Sequence, residues 1–116
     1  MEIDLHGYHP FDIEEGDLFS KIVQQTWEMG ERQLVIIHGH GRSRGPRTFS
    51  PGSNTNTGYL GVTIRRELRC ERSLRFWIKW TTLDCSDIGI TSVKLKPNPA
   101  PTRTQLEPLP PSRQVR

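Results

Sequence analysis

The run "QLVIIH", residues 33–38, constrains the fold of this chain more than any other stretch. The consecutive apolar residues Leu34, Val35, Ile36 and Ile37 leave no face for water, which suits a strand buried in a parallel sheet. The run stops at His38 and empties into "GHGRSRG", residues 39–45, a loop poor in side-chain bulk and rich in cations. Such a strand needs a parallel neighbour reached by a crossover. "EIDLH", residues 2–6, offers one, because Ile3 and Leu5 alternate with polar residues and share a face.

Between the two strands, Asp12 with Glu15 three residues on has the form of a helix N-cap and capping box. Leu18, Phe19, Ile22, Val23, Thr26 and Trp27 then recur at helical spacing, and Gly30 reads as the stop. Residues 46–58, "PRTFSPGSNTNTG", have no periodicity and read as a long loop. A second helix is expected from 57 or 59 to 70 on the stripe Leu60, Ile64 and Leu68, with Arg65, Arg66, Arg69 and Arg72 off that stripe on a cationic outer surface. "LRFWIKW", residues 74–80, reads as an alternating strand with Leu74, Phe76, Ile78 and Trp80 on one face. A last strand fits residues 89–96, with Thr91, Val93 and Leu95 together. The order β-α-β-α-β-β predicts an α/β two-layer sandwich over residues 1–96: a mixed four-stranded sheet with two helices on one face. Residues 97–116 are proline-rich and are expected to form a disordered tail.

In open α/β sheets, sites lie beyond the carboxyl ends of the strands. Two loops leave such ends here, "DLHG" and "HGHG". Asp4 and His6, two apart on a strand, project to the same side, where a carboxylate can fix the tautomer of an imidazole and suit it to proton transfer in phosphodiester chemistry. The plainer alternative is a pair of polar residues at a strand end. Gly39 and Gly41 let backbone amides approach an anion, and Arg42 and Arg44 supply forked hydrogen bonds to phosphate; the plainer alternative is a turn that needs glycine. All four histidines, His6, His9, His38 and His40, fall in these two loops, so a divalent metal is an open option. His38-x-His40 is not a common zinc spacing, however, and the neighbouring arginines repel a cation. No metal ligands are assigned, and no other cofactor is called for.

The net charge of +3 is unevenly spread. Residues 1–38 hold eight acids against two bases, whereas residues 39–79 hold nine bases against two acids. This segregation suits a face for a polyanion, or a solvated surface with no ligand. No apolar run approaches the ~20 residues that cross a bilayer. "MEIDLHG" lacks the pattern of a secretion signal, and Cys70 and Cys85 lack CxxC spacing, so a cytoplasmic protein with reduced thiols and no membrane partner is expected.

The pairing of "DLHG" with "IIHGHGRSRG" about thirty residues later, followed by "GITSVKLK", resembles the Smr (small MutS-related) domain family across residues 2–96. The resemblance implies a two-layer α/β sandwich like the C-terminal domain of translation initiation factor three. It also implies nucleic-acid binding and, in several members, endonuclease activity on DNA or RNA. Asp4 and His6 match the family's Asp-x-His, and His38, Gly39 and Gly41 match its HGxGxG, whose third glycine is replaced by Ser43. The loop before the second helix is longer than the family's.

The expected function is therefore a structure-directed endonuclease, nicking DNA or cleaving RNA. Asp4, His6 and His38 are the candidate catalytic residues; Gly39, His40, Gly41, Arg42, Arg44, Arg65, Arg66 and Arg69 are the candidate nucleic-acid contacts. The alternative is a non-catalytic DNA- or RNA-binding module of a repair, recombination or translation complex. Trp77, between Arg75 and Lys79, suits either base stacking or plain packing. "PLPP", residues 108–111, suits a protein partner that recognises polyproline.

Overall fold

The computed structural model describes residues 1–39 and 58–110. Along the chain these form β1 (Glu2–Asp4), α1 (Pro10–Glu14), α2 (Leu18–Glu28), β2 (Gln33–Ile37), α3 (Tyr59–Cys70), a 3₁₀ turn (Arg72–Phe76), β3 (Ile78–Asp84) and β4 (Ile90–Leu95). The sheet order is β1-β2-β4-β3. β1 and β2 are parallel, with Ile3 opposite Ile36 and Asp4 opposite Ile37. β4 runs antiparallel to both its neighbours. The protein is an α/β sandwich on a mixed four-stranded sheet.

Register explains which face is covered. Ile3 pairs with Ile36, Ile36 with Thr91, Leu34 with Val93 and Ile78 with Leu95, so these residues share one face. All are buried, in contact with Ile13, Phe19, Ile22 and Val23 from the first two helices and Leu60, Ile64 and Leu68 from α3. The other face carries Glu2, Asp4, Gln33, Lys79 and Lys94 exposed, with Val35 and Ile37 half-buried. The apolar run at 34–37 thus belongs to an inner strand, but one whose second face is only partly covered.

The structure splits the expected first helix in two. His9, not Asp12, is the cap of α1: its Nδ1 accepts from the Phe11 N–H, and Asp12, three residues on, accepts from the His9 N–H. Gly16, with φ +74°, then turns the chain before α2. The stop at Gly30 is where the sequence places it, with φ +80°.

The segment 74–80 also departs from its alternation. Residues 72–76 form the 3₁₀ turn, and the strand begins only at Ile78. Leu74 is 1% exposed while Phe76 is 69% exposed. The residues at 74 and 78 lie four apart, a spacing that a helical turn satisfies as well as a strand does, and the short link out of α3 takes the turn.

Residues 97–110 contain no helix or strand, as their prolines require. They differ from the expected disordered tail by lying along α2. Asn98 donates to the Trp27 carbonyl at 2.8 Å, the Thr102 N–H donates to the Glu28 carbonyl, and the Glu107 N–H donates to the Gln25 side chain. Arg103 pairs with Glu28, and Leu106 and Leu109 pack against the core. A Cβ at Gly30 would come within 2.7 Å of Pro101, so this glycine admits the strap as well as ending the helix.

Candidate functional site

The parallel pairing of β1 and β2 brings the two histidine-bearing loops together. The ladder continues past β1, with the Leu5 N–H donating to the Ile37 carbonyl at 2.8 Å. His6 therefore leaves the sheet beside the end of β2, and a Cβ built on Gly39 would lie 3.5 Å from the Cβ of His6. Gly39 sits at φ +79°, a left-handed conformation that glycine adopts without strain.

Asp4 and His6 form a dyad. Asp4 Oδ1 accepts the His6 backbone N–H at 3.0 Å and lies 2.6 Å from the ring Nδ1. A carboxylate oxygen at that distance requires the proton on Nδ1, which leaves Nε2 as the basic nitrogen of the neutral ring. No group bonds to Nε2 among the described residues. The side chains are 69% and 54% exposed for His6 and Asp4. The hydrogen bond from the His6 backbone N–H, then that from its ring, holds the Asp4 carboxyl below the usual carboxylate range. The pair can position an imidazole as proton acceptor at the solvent-facing end of a parallel strand.

His38 is placed quite differently. It is buried, with Nδ1 3.0 Å from the Gly39 carbonyl and Nε2 2.8 Å from Thr91 Oγ1. Arg65 Nε donates to the same Thr91 oxygen at 2.7 Å. These contacts orient a chain of donors: Arg65 to Thr91, the Thr91 hydroxyl to His38 Nε2, and His38 Nδ1–H to the Gly39 carbonyl. The expectation that His38 is catalytic meets a ring that is buried and bonded at both nitrogens within its own fold.

Arg65 corrects the expectation of an outward cation. It is 4% exposed, and Nη2 donates to the Asp87 and Ile90 carbonyls. Burial pushes its guanidinium pKa down from the ordinary value; the nearby Cys85, Asp87 and Asp84 act in the opposite direction. It sits one helical turn after the buried Gly61 and beside Ile64, so the buried stripe of α3 is two residues wide. Arg65 thus braces α3 against the start of β4 and does not present itself to a polyanion.

The glycine cradle is corrected in part as well. The amides of His38 and Gly39 both donate to the Gly89 carbonyl, at 3.0 and 3.1 Å, so neither is open to an anion. His40, Gly41, Arg42 and Arg44 lie outside the described residues. Arg66 is exposed but pairs with Glu14 at 2.6 Å, tying α3 to α1. Arg69 is exposed, 3.9 Å from Cys85 Sγ, and makes no ion pair among the described residues. Both cysteines are free thiols. Among the described residues, no three of His, Cys, Asp and Glu converge as metal ligands, and no helix is long and apolar enough to cross a membrane. His9 serves as a helix cap. In "PLPP", Leu109 packs against the core and the Pro110 carbonyl accepts from the Tyr8 hydroxyl, while Pro111 lies outside the described residues.

Sequence reasoning missed Thr91, Gly89 and the inward Arg65. Thr91 carried a signal, since a threonine on the apolar face of a strand needs a buried partner. Compared with family models, curated proteins and solved structures, the chain finds no match.

Proposed function

We propose that this chain is a nucleic-acid-binding domain that cleaves phosphodiester bonds, nicking DNA or cutting RNA according to structure rather than sequence. The observation that carries the reading is the 2.6 Å Asp4–His6 contact, exposed at the end of β1 and adjacent to Gly39. Nε2 of His6 takes the proton from the attacking hydroxyl or water, and Asp4 stabilises the imidazolium that forms. The basic segment that follows β2 and the exposed Arg69 supply positive charge for the backbone, with Arg66 a weaker contact because Glu14 already engages it. The resemblance to Smr domains points the same way. A domain this small offers little surface to read base edges, so phosphate contacts dominate and sequence preference is weak.

Purified protein incubated with supercoiled plasmid and with single-stranded RNA, with and without a chelator, tests the reading. Wild type cleaves one of them. His6→Ala loses roughly 10²–10⁴-fold in rate, the usual worth of a positioned acid–base group, while still binding. Equal rates for wild type and His6→Ala contradict the assignment.

One observation favours a second reading, a binding module without turnover: the imidazole of His38 and the amides of His38 and Gly39 are consumed by internal bonds. Binding that weakens steeply with salt, with no cleavage under any metal condition, selects it.

A further inference from the structure

A second surface carries ligand chemistry that the Asp4–His6 dyad does not use. It lies at the β3 edge of the sheet, whereas the dyad is on β1 at the opposite edge. Three strand spacings, about 14 Å, separate the two across the sheet.

Two aromatic rings stand exposed there. Phe76 is 69% exposed and Trp80 40% exposed, both high for large apolar side chains. The Arg75 guanidinium lies 4.5 Å from the centre of the Trp80 ring. A break in register after Lys79 leaves residues 80–83 out of step with β4, and such bulges re-aim side chains at a sheet edge.

Phe76 leans towards Trp27 of α2, 6.4 Å between ring centres, and Arg75 caps Trp80, while the lysines of this edge lie along β3 and β4; none of these cations is compensated among the described residues. Among the described residues, Arg72, Arg75, Lys79, Lys94 and Lys96 make no ion pair. Lys79 and Lys94 are direct cross-strand partners on the open face of the sheet. Like charges placed opposite one another cost stability. Lysine on an edge strand is a common guard against sheet-to-sheet aggregation, which accounts for Lys79. It does not account for Lys94, which is on an inner strand, nor for an exposed phenylalanine at the same edge.

We propose that this edge binds single-stranded nucleic acid, with Phe76 and Trp80 as stacking surfaces for bases and Lys79, Lys94 and Lys96 as contacts to phosphates. Exposed aromatic faces interleaved with cations are what a single strand requires: every base has a face to stack, and every linkage carries a charge. A protein partner fits less well, because lysine is depleted at protein interfaces. Duplex fits less well too, because its bases are already stacked. The inference does not depend on catalysis at His6.

Fluorescence anisotropy on the full chain tests it, with a labelled oligo(dT) of about 12 nucleotides and a duplex of the same length. The expected result is tighter binding of the single strand. Phe76→Ser, with its melting compared with wild type because the ring also meets Trp27 and Trp77, weakens it about tenfold, in line with the measured worth of one stacked base. Lys79→Gln with Lys94→Gln lowers the slope of log affinity against log salt by about 1.4. Lys21→Gln, which removes an exposed cation on α2 outside both surfaces, binds as wild type does. The proposal is overturned if both β3-edge variants bind oligo(dT) as wild type does, if duplex is preferred, or if Lys21→Gln weakens binding as much as Phe76→Ser. Wild type that binds neither oligonucleotide at about 50 mM salt also overturns it and leaves the cluster as a face for a protein.

Discussion

His6 and His38 follow the carboxyl ends of two neighbouring parallel strands, and their surroundings are opposite. His6 is held through one ring nitrogen by an exposed carboxylate, with Nε2 turned away from that contact. His38 has both ring nitrogens engaged, one by Thr91 and one by the Gly39 carbonyl, inside a buried network that Arg65 completes. An imidazole that is to exchange protons with a ligand needs a free nitrogen and access; one that locks a loop needs neither. The resemblance to a family motif placed both histidines in one catalytic set, whereas the structure divides them into an exposed ring held at one nitrogen and a buried brace.

The largest expected effect is on the brace. Arg65→Met strips donors from Thr91 and from the Asp87 and Ile90 carbonyls, and should cost about 3–5 kcal/mol in urea unfolding. A loss below about 1 kcal/mol would mean that the network contributes little. Thr91→Val leaves His38 Nε2 and Arg65 Nε without their shared oxygen and should cost about 2–3 kcal/mol, with circular dichroism reporting the melt. A valine that leaves stability unchanged would break the contrast between the two histidines.

On the exposed side, Asp4→Asn should change stability by less than about 0.5 kcal/mol, as surface substitutions do. It should also lower the cleavage rate by roughly 10–100-fold, because the amide neither fixes the tautomer with the same strength nor offsets the imidazolium charge. Rates equal to wild type would separate Asp4 from the chemistry. The smallest effect is in acid. The folded-state pKa of Asp4 is depressed, so the stabilisation from its bonds to His6 is fully present above the ordinary carboxylate value of 3.8 and is lost as pH falls through the lower folded value. Carboxyl-carbon NMR should therefore show Asp4 titrating below that value in wild type, and His6→Ala should bring it back up. A normal titration in wild type would remove the dyad.

Much of the fold was legible because periodicity and register are local signals. Ile3 and Leu5, and Thr91, Val93 and Leu95, face where their spacing puts them, and the 34–37 run is the inner strand it reads as, although Val35 and Ile37 are only half-buried. What was hidden depended on tertiary choice. Gly16 could sit inside a helix or break it, and only the packing of α1 against α3 decides. Leu74 and Ile78 fit two periods at once. Arg65 looked like its exposed neighbour Arg66 until the second row of the α3 stripe was known. The strap over α2 was illegible for a similar reason: proline content forbids helix and sheet but does not forbid docking, and Leu106 and Leu109 are few against nine prolines in the chain. At the site, Asp-x-His was readable from strand geometry alone, whereas the capture of the His38 and Gly39 amides by Gly89 needs a strand fifty residues away.

Paired cleavage and melting measurements on His6→Gln and His38→Gln test the division most directly. The account predicts that His6→Gln melts with wild-type protein and loses about 10²–10⁴-fold in cleavage, while His38→Gln melts several degrees lower, as a loss of about 1–2 kcal/mol in a domain of this size would give. A His6→Gln protein that cleaves at the wild-type rate would contradict it.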